Sequence, residues 1–164
     1  ITSAYVPLAG FIVSKRIHDA MLAAPQEAKF MHGYTNAGHP TACAVALRNL
    51  DIIEQEGLVD RAAAMGDRLR KGLDTLAGHP NVGDVRSLGL IAAVEMTADK
   101  ATSAAFDPAD NVGPRVLRAM RDRGVITRVK GDSILLAPPL VTTPEQIDRI
   151  VEIVGESVAA VTGQ

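Results

Sequence analysis

The chain has 164 residues, of which 47% are hydrophobic and 22% charged, so it is long enough to bury a core. Its net charge of -2 excludes the broad positive field expected of a protein that binds nucleic acid or an anionic membrane. The single cysteine, Cys43, excludes an internal disulfide and a multi-cysteine zinc site. We therefore predict no nucleic-acid or membrane partner, and the low cysteine content favours the cytoplasm.

The first forty residues combine apolar and loop sequence. The chain opens on "ITSAYVPLAGFIVS", without an initiator methionine and without capping residues before the apolar run. Because domains rarely begin inside an element, we expect this chain to be the C-terminal portion of a longer protein. Residues 6–14 are predicted to form a buried strand, residues 15–24 a helix and residues 25–38 a loop.

Two helices are predicted next. The first begins at Pro40, because proline suits the first helical position, and its apolar side chains recur every three or four residues. These side chains are Cys43, Ala46, Leu47, Leu50 and Ile53. Gly57 ends or bends this helix, and a second helix follows with its own apolar stripe. That stripe contains Leu58, Ala62, Met65, Leu69, Leu73 and Leu76.

The rest of the chain alternates between strand and helix patterns. Apolar residues at every second position predict a strand over residues 88–96, with Leu90, Ala92, Val94 and Met96 on one side. A helix over residues 112–123 is predicted to end at Gly124, and "VITRV" and "ILLA" indicate a hairpin around "KGDS". Thr143 and Gln146 have the spacing of a capping box at the start of the last helix. An α/β region is therefore followed by a small α+β unit with an antiparallel sheet, and the division lies near residues 60–80.

The segment "HGYTNAGHPTACAVALRNL", residues 32–50, places a hydroxyl and two glycines just ahead of a helix. A helix start presents unpaired backbone amides and the positive end of the helix dipole, which stabilise anions. Thr35 supplies a hydroxyl donor that a phosphate oxygen could accept, so residues 33–40 could form a phosphate-binding corner. The alternative is a polar loop, a cap and a buried helix.

The same segment resembles the H-G-[FY]-T-x-x-G-[HN]-P-x-[AG]-[CA]-A-x-A-L motif of class III aminotransferases, and the nearest group is similar to the omega-amino-acid:pyruvate transaminases. The resemblance implies an α/β protein of the pyridoxal 5'-phosphate (PLP)-dependent transferase fold type I. In that family the threonine matched by Thr35 donates to the cofactor phosphate of the neighbouring subunit. Gly33 and Tyr34 match the loop beside that cofactor, so the resemblance implies an obligate homodimer.

Two further segments carry the resemblance to both ends of the chain. "ITSAYVPLAGFIVSKRIHDAM" is similar to the sequence that follows the catalytic lysine, usually written K-G-[IL]-[TS]-[SG]-x-Y-x-P-[LM]-[GA]. The Schiff-base lysine is then expected two residues before Ile1, outside this chain. By this likeness Tyr5 could line the substrate site, and simple packing is the alternative.

"VITRVKGDSILLAPPLVTTPEQIDRI" resembles the C-terminal segment of the same enzymes. An arginine at the position of Arg128 binds the carboxylate of an amino-acid or keto-acid substrate there. The guanidinium group can make a planar two-point contact with a carboxylate, which suits this role. The alternatives are an exposed hairpin arginine and an internal salt bridge.

Other polar residues are assigned structural roles. His32 and His39 have no carboxylate between them and lack the spacing of a metal pair, so we predict no metal site. Hydrogen bonds from these histidines are expected to fix the loop. Cys43 is interpreted as a small core residue, and Asp84 and Arg86 as a structural pair or turn ahead of the 88–96 strand.

The resemblance implies transamination between an amine or omega-amino acid and a keto acid such as pyruvate, through a PLP Schiff base in the full-length protein. Residues 1–60 would be the C-terminal end of the large PLP-binding domain with its interdomain helix, and residues 61–164 the small α+β domain. Without the lysine, this chain alone is not expected to transaminate. Two alternatives stay open: a PLP aminomutase or decarboxylase of the same fold, and an inactive C-terminal fragment that only folds or dimerises.

Overall fold

A computed structural model describes residues 1–163 of the chain. The chain divides into two compact units, Ile1–Glu56 and a second unit that begins at Gly57. Over the described residues, none of the α-helices combines the length and the hydropathy needed to cross a bilayer.

The first unit is built around two helices, α1 (Lys15–Ala23) and α2 (Pro40–Gln55), with a short 3₁₀ turn at Gln26–Ala28. Both helices agree with the predictions, and Pro40 occupies the start of α2 as expected. Helix α2 buries only Ala42 and Ala46 within this unit, while Leu47 and Leu50 of its apolar stripe are exposed. The buried helix of the alternative interpretation is therefore not found in this unit. Cys43, interpreted as a small core residue, is only half-buried.

The predicted strand over residues 6–14 is wrong. The segment has irregular backbone, Phe11 is 74% exposed and Ile12 is fully exposed. A strand needs a hydrogen-bonding partner, and no strand pairs with this segment among residues 1–163. The start of the chain is instead held to α2 by Asn49, whose amide donates to the Ile1 carbonyl at 2.8 Å and whose side-chain oxygen accepts from Ser3.

The second unit is a four-stranded antiparallel sheet with three helices. Its helices are α3 (Leu58–Asp74), α4 (Val112–Asp122) and α5 (Pro144–Thr162). Its strands are β1 (Val82–Leu88), β2 (Ile91–Met96), β3 (Arg128–Lys130) and β4 (Ser133–Leu136). The strand order is β1-β2-β4-β3, and every neighbouring pair is antiparallel. This agrees with the predicted α+β unit.

The core of the second unit lies between one face of the sheet and the three helices. The predicted inward residues of β2 and its preceding turn are buried: Leu90, Ala92, Val94 and Met96. They join fully buried side chains of the helices: Leu69, Leu73, Val116, Met120, Ile147, Ile153, Val154 and Val158. Burying each such side chain contributes about 1.5–3 kcal/mol, so this core is the main source of the unit's stability.

Strand β1 was not predicted, and Asp84 and Arg86 lie within it rather than ahead of a strand. The Arg86 guanidinium contacts Asp84 at 2.5 Å and Glu95 of β2 at 2.7 Å. These contacts, with Glu95 first, raise the pKa of Arg86. The predicted structural pair is confirmed, and it links the two exposed strand surfaces.

Three predictions for the C-terminal half are confirmed: the capping box of the last helix, the β3–β4 hairpin and the glycine after α4. Thr143 accepts from the Gln146 amide while the Gln146 side chain accepts from the Thr143 amide, so the capping box is complete. The β3–β4 hairpin is present, although its regular pairing begins only at Arg128. Gly124 follows α4 with a φ of 96°, as expected for a helix-terminating glycine.

His79, at the end of the 3₁₀ turn that follows α3, makes stability depend on pH. Its Nδ1 accepts from the Asn81 amide at 3.1 Å, and Asn81 in turn donates to the Thr97 carbonyl. Burial, helped by the nearby Lys100 ammonium, lowers the pKa of His79. The unfolded chain then binds more protons than the folded one as the pH falls from about 6.5 to the lowered pKa of the folded state.

We expect the free energy of unfolding to fall as the pH drops from about 6.5 through the lowered pKa of His79. The variant His79→Asn keeps a side-chain acceptor that does not titrate, so it should flatten this part of the profile. Urea denaturation at several pH values checks this. Equal slopes in the two proteins between pH 5 and 7 would contradict the assignment.

Candidate functional site

The predicted phosphate-binding loop lies directly before α2. Gly33, Tyr34 and Thr35 are all exposed, and the loop closes with a turn in which the Ala37 amide donates to the Tyr34 carbonyl at 2.9 Å. Gly38 has a φ of 68°, a backbone conformation that glycine adopts without strain. The Thr35 hydroxyl has no hydrogen-bond partner among residues 1–163. It is therefore available to donate to an external anion.

Aromatic contacts, not hydrogen bonds, surround His32. Its ring lies 5.6 Å from the Phe30 ring and 4.9 Å from the edge-on Tyr34 ring, measured between centroids. The expectation that histidine hydrogen bonds fix this loop is wrong: over the described residues neither His32 nor His39 has a side-chain hydrogen bond, and His39 caps α2 through its backbone alone. Within residues 1–163 no cluster of three or more metal-ligating side chains occurs.

Tyr5 is 85% exposed within the first unit. Simple packing in the core of residues 1–56 is therefore wrong for this side chain. Its backbone amide donates to the Thr2 carbonyl at 3.1 Å, which fixes the local turn and leaves the ring free. A role for Tyr5 in lining a substrate site stays a prediction.

The second unit contains a hollow with a volume of about 1190 Å³. It lies where the β1–β2 turn, the start of β3 and the end of β4 meet, so it occupies one end of the sheet. Large apolar side chains around it are unusually exposed, with Leu88 at 85% and Ile126 at 80%. Exposed apolar groups of this kind mark a surface that binds a ligand or another part of a protein.

Arg128 lines this hollow with three other arginines, and no aspartate or glutamate lines it. The other three are paired: Arg86 with Glu95 at 2.7 Å, Arg123 with Glu156 at 3.3 Å and Arg149 with Glu152 at 2.5 Å. Arg128 has no carboxylate within 4.0 Å among residues 1–163. The alternative of an internal salt bridge is therefore wrong, and Arg128 is an exposed hairpin residue with an uncompensated charge.

This arrangement can bind a carboxylate. Arg128 opens β3 opposite Leu135, and the neighbouring Thr127 hydroxyl donates to the Leu135 carbonyl, which ties the start of the strand in place. A guanidinium held on a strand and unpaired within an apolar hollow offers two parallel N–H donors to one carboxylate group.

Sequence reasoning did not identify Leu88 and Ile126 as lining residues of the hollow. Both have the pattern of ordinary strand residues, and only their position next to the ends of strands makes them part of the hollow. Arg61 of α3, which contacts two lining residues from outside the hollow, was also missed. Its one sequence signal is weak: a cation in the first turn of a helix opposes the helix dipole.

Comparison with known proteins assigns the chain to a family. The sequence profile described as "Aminotransferase class-III" matches residues 1–158. An adenosylmethionine-8-amino-7-oxononanoate aminotransferase of Geobacter sulfurreducens is 41% identical over 164 residues, which cover 99% of this chain and 36% of that protein. A mitochondrial gamma-aminobutyrate transaminase 1 of Oryza sativa subsp. indica is 35% identical, over 98% of this chain and 31% of its own length.

Solved structures similar to this chain are transaminases as well. A thermostable (S)-enantioselective omega-transaminase from Thermomicrobium roseum matches with a TM-score of 0.91 and 44% identity, over 98% of this chain and 35% of that one. The chain thus spans about a third of the length of the relatives that it matches. The predicted fold type I of PLP-dependent transferases is confirmed, and the chain belongs to the class III aminotransferase family.

Proposed function

We propose that this chain is the C-terminal portion of a PLP-dependent aminotransferase. The full-length enzyme would move an amino group between an amine or omega-amino acid and a keto acid such as pyruvate. The observation that carries the proposal is Arg128, the one arginine of the hollow that no carboxylate neutralises within the described residues. Its unpaired guanidinium would hold the carboxylate that every amino-acid and keto-acid substrate presents.

The loop before α2 fits the cofactor. Thr35 presents an exposed, unpaired hydroxyl, which would donate to the cofactor phosphate, and Gly33 and Tyr34 lie beside it on the same exposed loop. The chemistry that PLP supplies when bound is an electron sink that makes the substrate α-carbon acidic. The lysine that would move the α-proton is expected two residues before Ile1.

The quaternary and domain assignments are part of the same proposal. We infer a homodimer in which Thr35 serves the cofactor of the partner subunit, with residues 1–60 ending the large domain and residues 61–164 forming the small one. The two compact units, which divide between Glu56 and Gly57, support this organisation. We also place the enzyme in the cytoplasm, which the single free Cys43 supports because it calls for no oxidising compartment.

Reduction with borohydride followed by intact-mass measurement tests the function. We expect the full-length protein to gain one pyridoxyl group per subunit, located by peptide mapping on the lysine before Ile1, and to transfer amino groups to pyruvate. A full-length protein that gains no adduct and transfers no amino group would instead be a module that only folds or dimerises. Isomerisation of an amino acid without transfer would point to an aminomutase.

Replacing Thr35 by alanine should weaken PLP retention while the fold stays intact. A hydrogen bond to a charged group contributes about 1.5–3 kcal/mol, so the Kd for PLP should rise about 10- to 100-fold. Thr35→Ser keeps the hydroxyl and should retain the cofactor. Cofactor titration by absorbance after dialysis measures both, and an unchanged Kd in Thr35→Ala would remove this role.

Replacing Arg128 by leucine should raise the KM for an amino-acid donor about 10- to 100-fold, because one charged hydrogen-bonding group is lost. A carboxylate-free amine should be used as well as before, since it has no group for Arg128 to bind. Arg128→Lys keeps the charge but loses the two-point geometry, so its KM for the amino-acid donor should lie between those of the parent enzyme and Arg128→Leu. An equal rise in KM for both donors in Arg128→Leu would show that Arg128 does not recognise the carboxylate.

A further inference from the structure

Arg61 contacts the backbone behind one wall of the Arg128 hollow. It lies in the first turn of α3, and its Nη2 donates to two successive carbonyl oxygens, those of Val141 at 3.2 Å and Thr142 at 3.0 Å. Both of these residues also line the hollow. Arg61 therefore connects α3 directly to the lining of the proposed substrate site.

Few hydrogen bonds join the segment that Arg61 contacts to the rest of the unit, although its Thr142 is buried. Residues 137–142 lie between the end of β4 and Thr143, the residue that caps α5, and belong to neither element. A local turn closes the segment upon itself, with the Thr142 amide and hydroxyl both donating to the Pro139 carbonyl. Neither of those bonds fixes the segment to the rest of the unit, whereas the bonds from Arg61 do.

The Arg61 guanidinium is held by backbone groups rather than by a carboxylate. No carboxylate lies within 4.0 Å of its guanidinium among the residues that the structure describes, so backbone carbonyls alone hold its charge. Its Nε is buried without a hydrogen-bond partner. A partly buried cation with an unpaired donor has a desolvation cost that an apolar side chain would not have, and this cost offsets part of what its two hydrogen bonds contribute to stability.

We propose that Arg61 is a positioning residue for substrate binding: it fixes the 137–142 wall of the hollow at the distance from Arg128 that a carboxylate-bearing substrate requires. The inference rests on the proposed function, because it assumes that the hollow receives the substrate carboxylate. Arg61 itself lies behind the wall and acts through the Val141 and Thr142 carbonyls.

The test uses the full-length holoenzyme with an amino-acid donor and a carboxylate-free amine. Small displacements of binding groups have large kinetic effects, so Arg61→Met should raise the KM for the amino-acid donor about tenfold while kcat changes less than about twofold. Arg70→Met is the matched control. Arg70 lies on the same helix and pairs with Asp74 of that helix, so its loss should leave both parameters unchanged.

A double-mutant cycle separates positioning from general stability. If Arg61 acts on the carboxylate site, Arg61→Met should have no further effect on the amino-acid KM in an Arg128→Leu background. A full, additive effect in that background, or an equal rise for the carboxylate-free amine, would overturn the inference. Arg61→Lys, which keeps a donor for the two carbonyls, should restore most of the affinity. If Arg61→Met does not fold, Arg61→Gln, which keeps a neutral polar side chain of shorter reach, serves in its place and should raise the same KM.

The two proposals fail in different ways. If Arg128→Leu alone leaves the amino-acid KM unchanged, the carboxylate role of Arg128 is lost, whatever Arg61 does. If Arg128→Leu raises that KM and the loss variant of Arg61 (Arg61→Met or Arg61→Gln) does not, the proposed function stands and the positioning role of Arg61 is wrong.

Discussion

Replacing Gly113 by alanine is expected to destabilise the second unit by about 3 kcal/mol, at the upper end of the range for overpacked sites. Gly113 is buried in the first turn of α4, and a Cβ there would lie 2.2 Å from the carbonyl oxygen of Gly131, in the β3–β4 turn. That neighbour is backbone and cannot rotate away. The Gly113 amide also donates to Asp132 at 3.2 Å, so moving α4 would stretch this bond as well.

Urea denaturation of Gly113→Ala followed by circular dichroism measures this loss. Gly78→Ala is the control, because a Cβ at Gly78 has no neighbouring atom within 4 Å. The control should stay within about 0.5 kcal/mol of the parent protein, as expected for a surface substitution. A Gly113 variant as stable as the control would mean that α4 and the hairpin turn do not approach as closely as described.

Replacing Gly66 by alanine should cost a similar amount, about 3 kcal/mol. Gly66 is buried in the middle of α3, and an added Cβ would meet the Gly89 backbone at 2.5–2.6 Å, where β1 turns into β2. Alanine gains about 1 kcal/mol over glycine in helix propensity, but this is too small to offset a backbone collision.

A second glycine of the same helix provides the matched comparison for Gly66. At Gly72 the nearest atom to an added Cβ is a methyl carbon of Val151 at 2.7 Å, and a side chain can shift more easily than backbone. Gly72→Ala should therefore cost less, about 1 kcal/mol. The order of the two unfolding free energies is the result to check, and a larger loss at Gly72 would contradict the packing described for Gly66.

Elements with local signals were predictable from the sequence. The capping box of Thr143 and Gln146, the proline at the start of α2 and the alternation in β2 are each set by a few adjacent residues. Their physical causes lie within the element, so the prediction needs no knowledge of what packs against it.

One strand, β1, was missed and another, over residues 6–14, was predicted wrongly, because neither outcome depends on local sequence alone. In β1 a bulge between Val82 and Asp84 breaks the alternation, and charged residues occupy its exposed face. Residues 6–14 have the apolar composition of a strand, but composition cannot supply the neighbouring strand that a hydrogen-bonded ladder requires.

The sequence predicts which arginine could bind a carboxylate, but it cannot predict whether that arginine is paired in the folded chain. The motif around Arg128 indicated a carboxylate-binding arginine through its resemblance to a family. Arg86 is neutralised by two carboxylates, whereas Arg128 is unpaired within the described residues. This difference depends on which carboxylates the folded sheet and helices bring close to each arginine. Arg61 shows the same limit, because its partners lie about 80 residues further along the chain.

The strand order β1-β2-β4-β3 also has a consequence for how this unit folds. Both hairpins join strands that are adjacent in sequence and can form early, but β2 meets β4 across about 40 residues that include α4. Closing so long a loop lowers the chain entropy before the contacts between β2 and β4 contribute any stabilisation. We expect docking of the two hairpins to limit the folding rate. The Val94–Ile134 pair at their seam would then govern how fast the sheet assembles, and the outer strands mainly how slowly it comes apart.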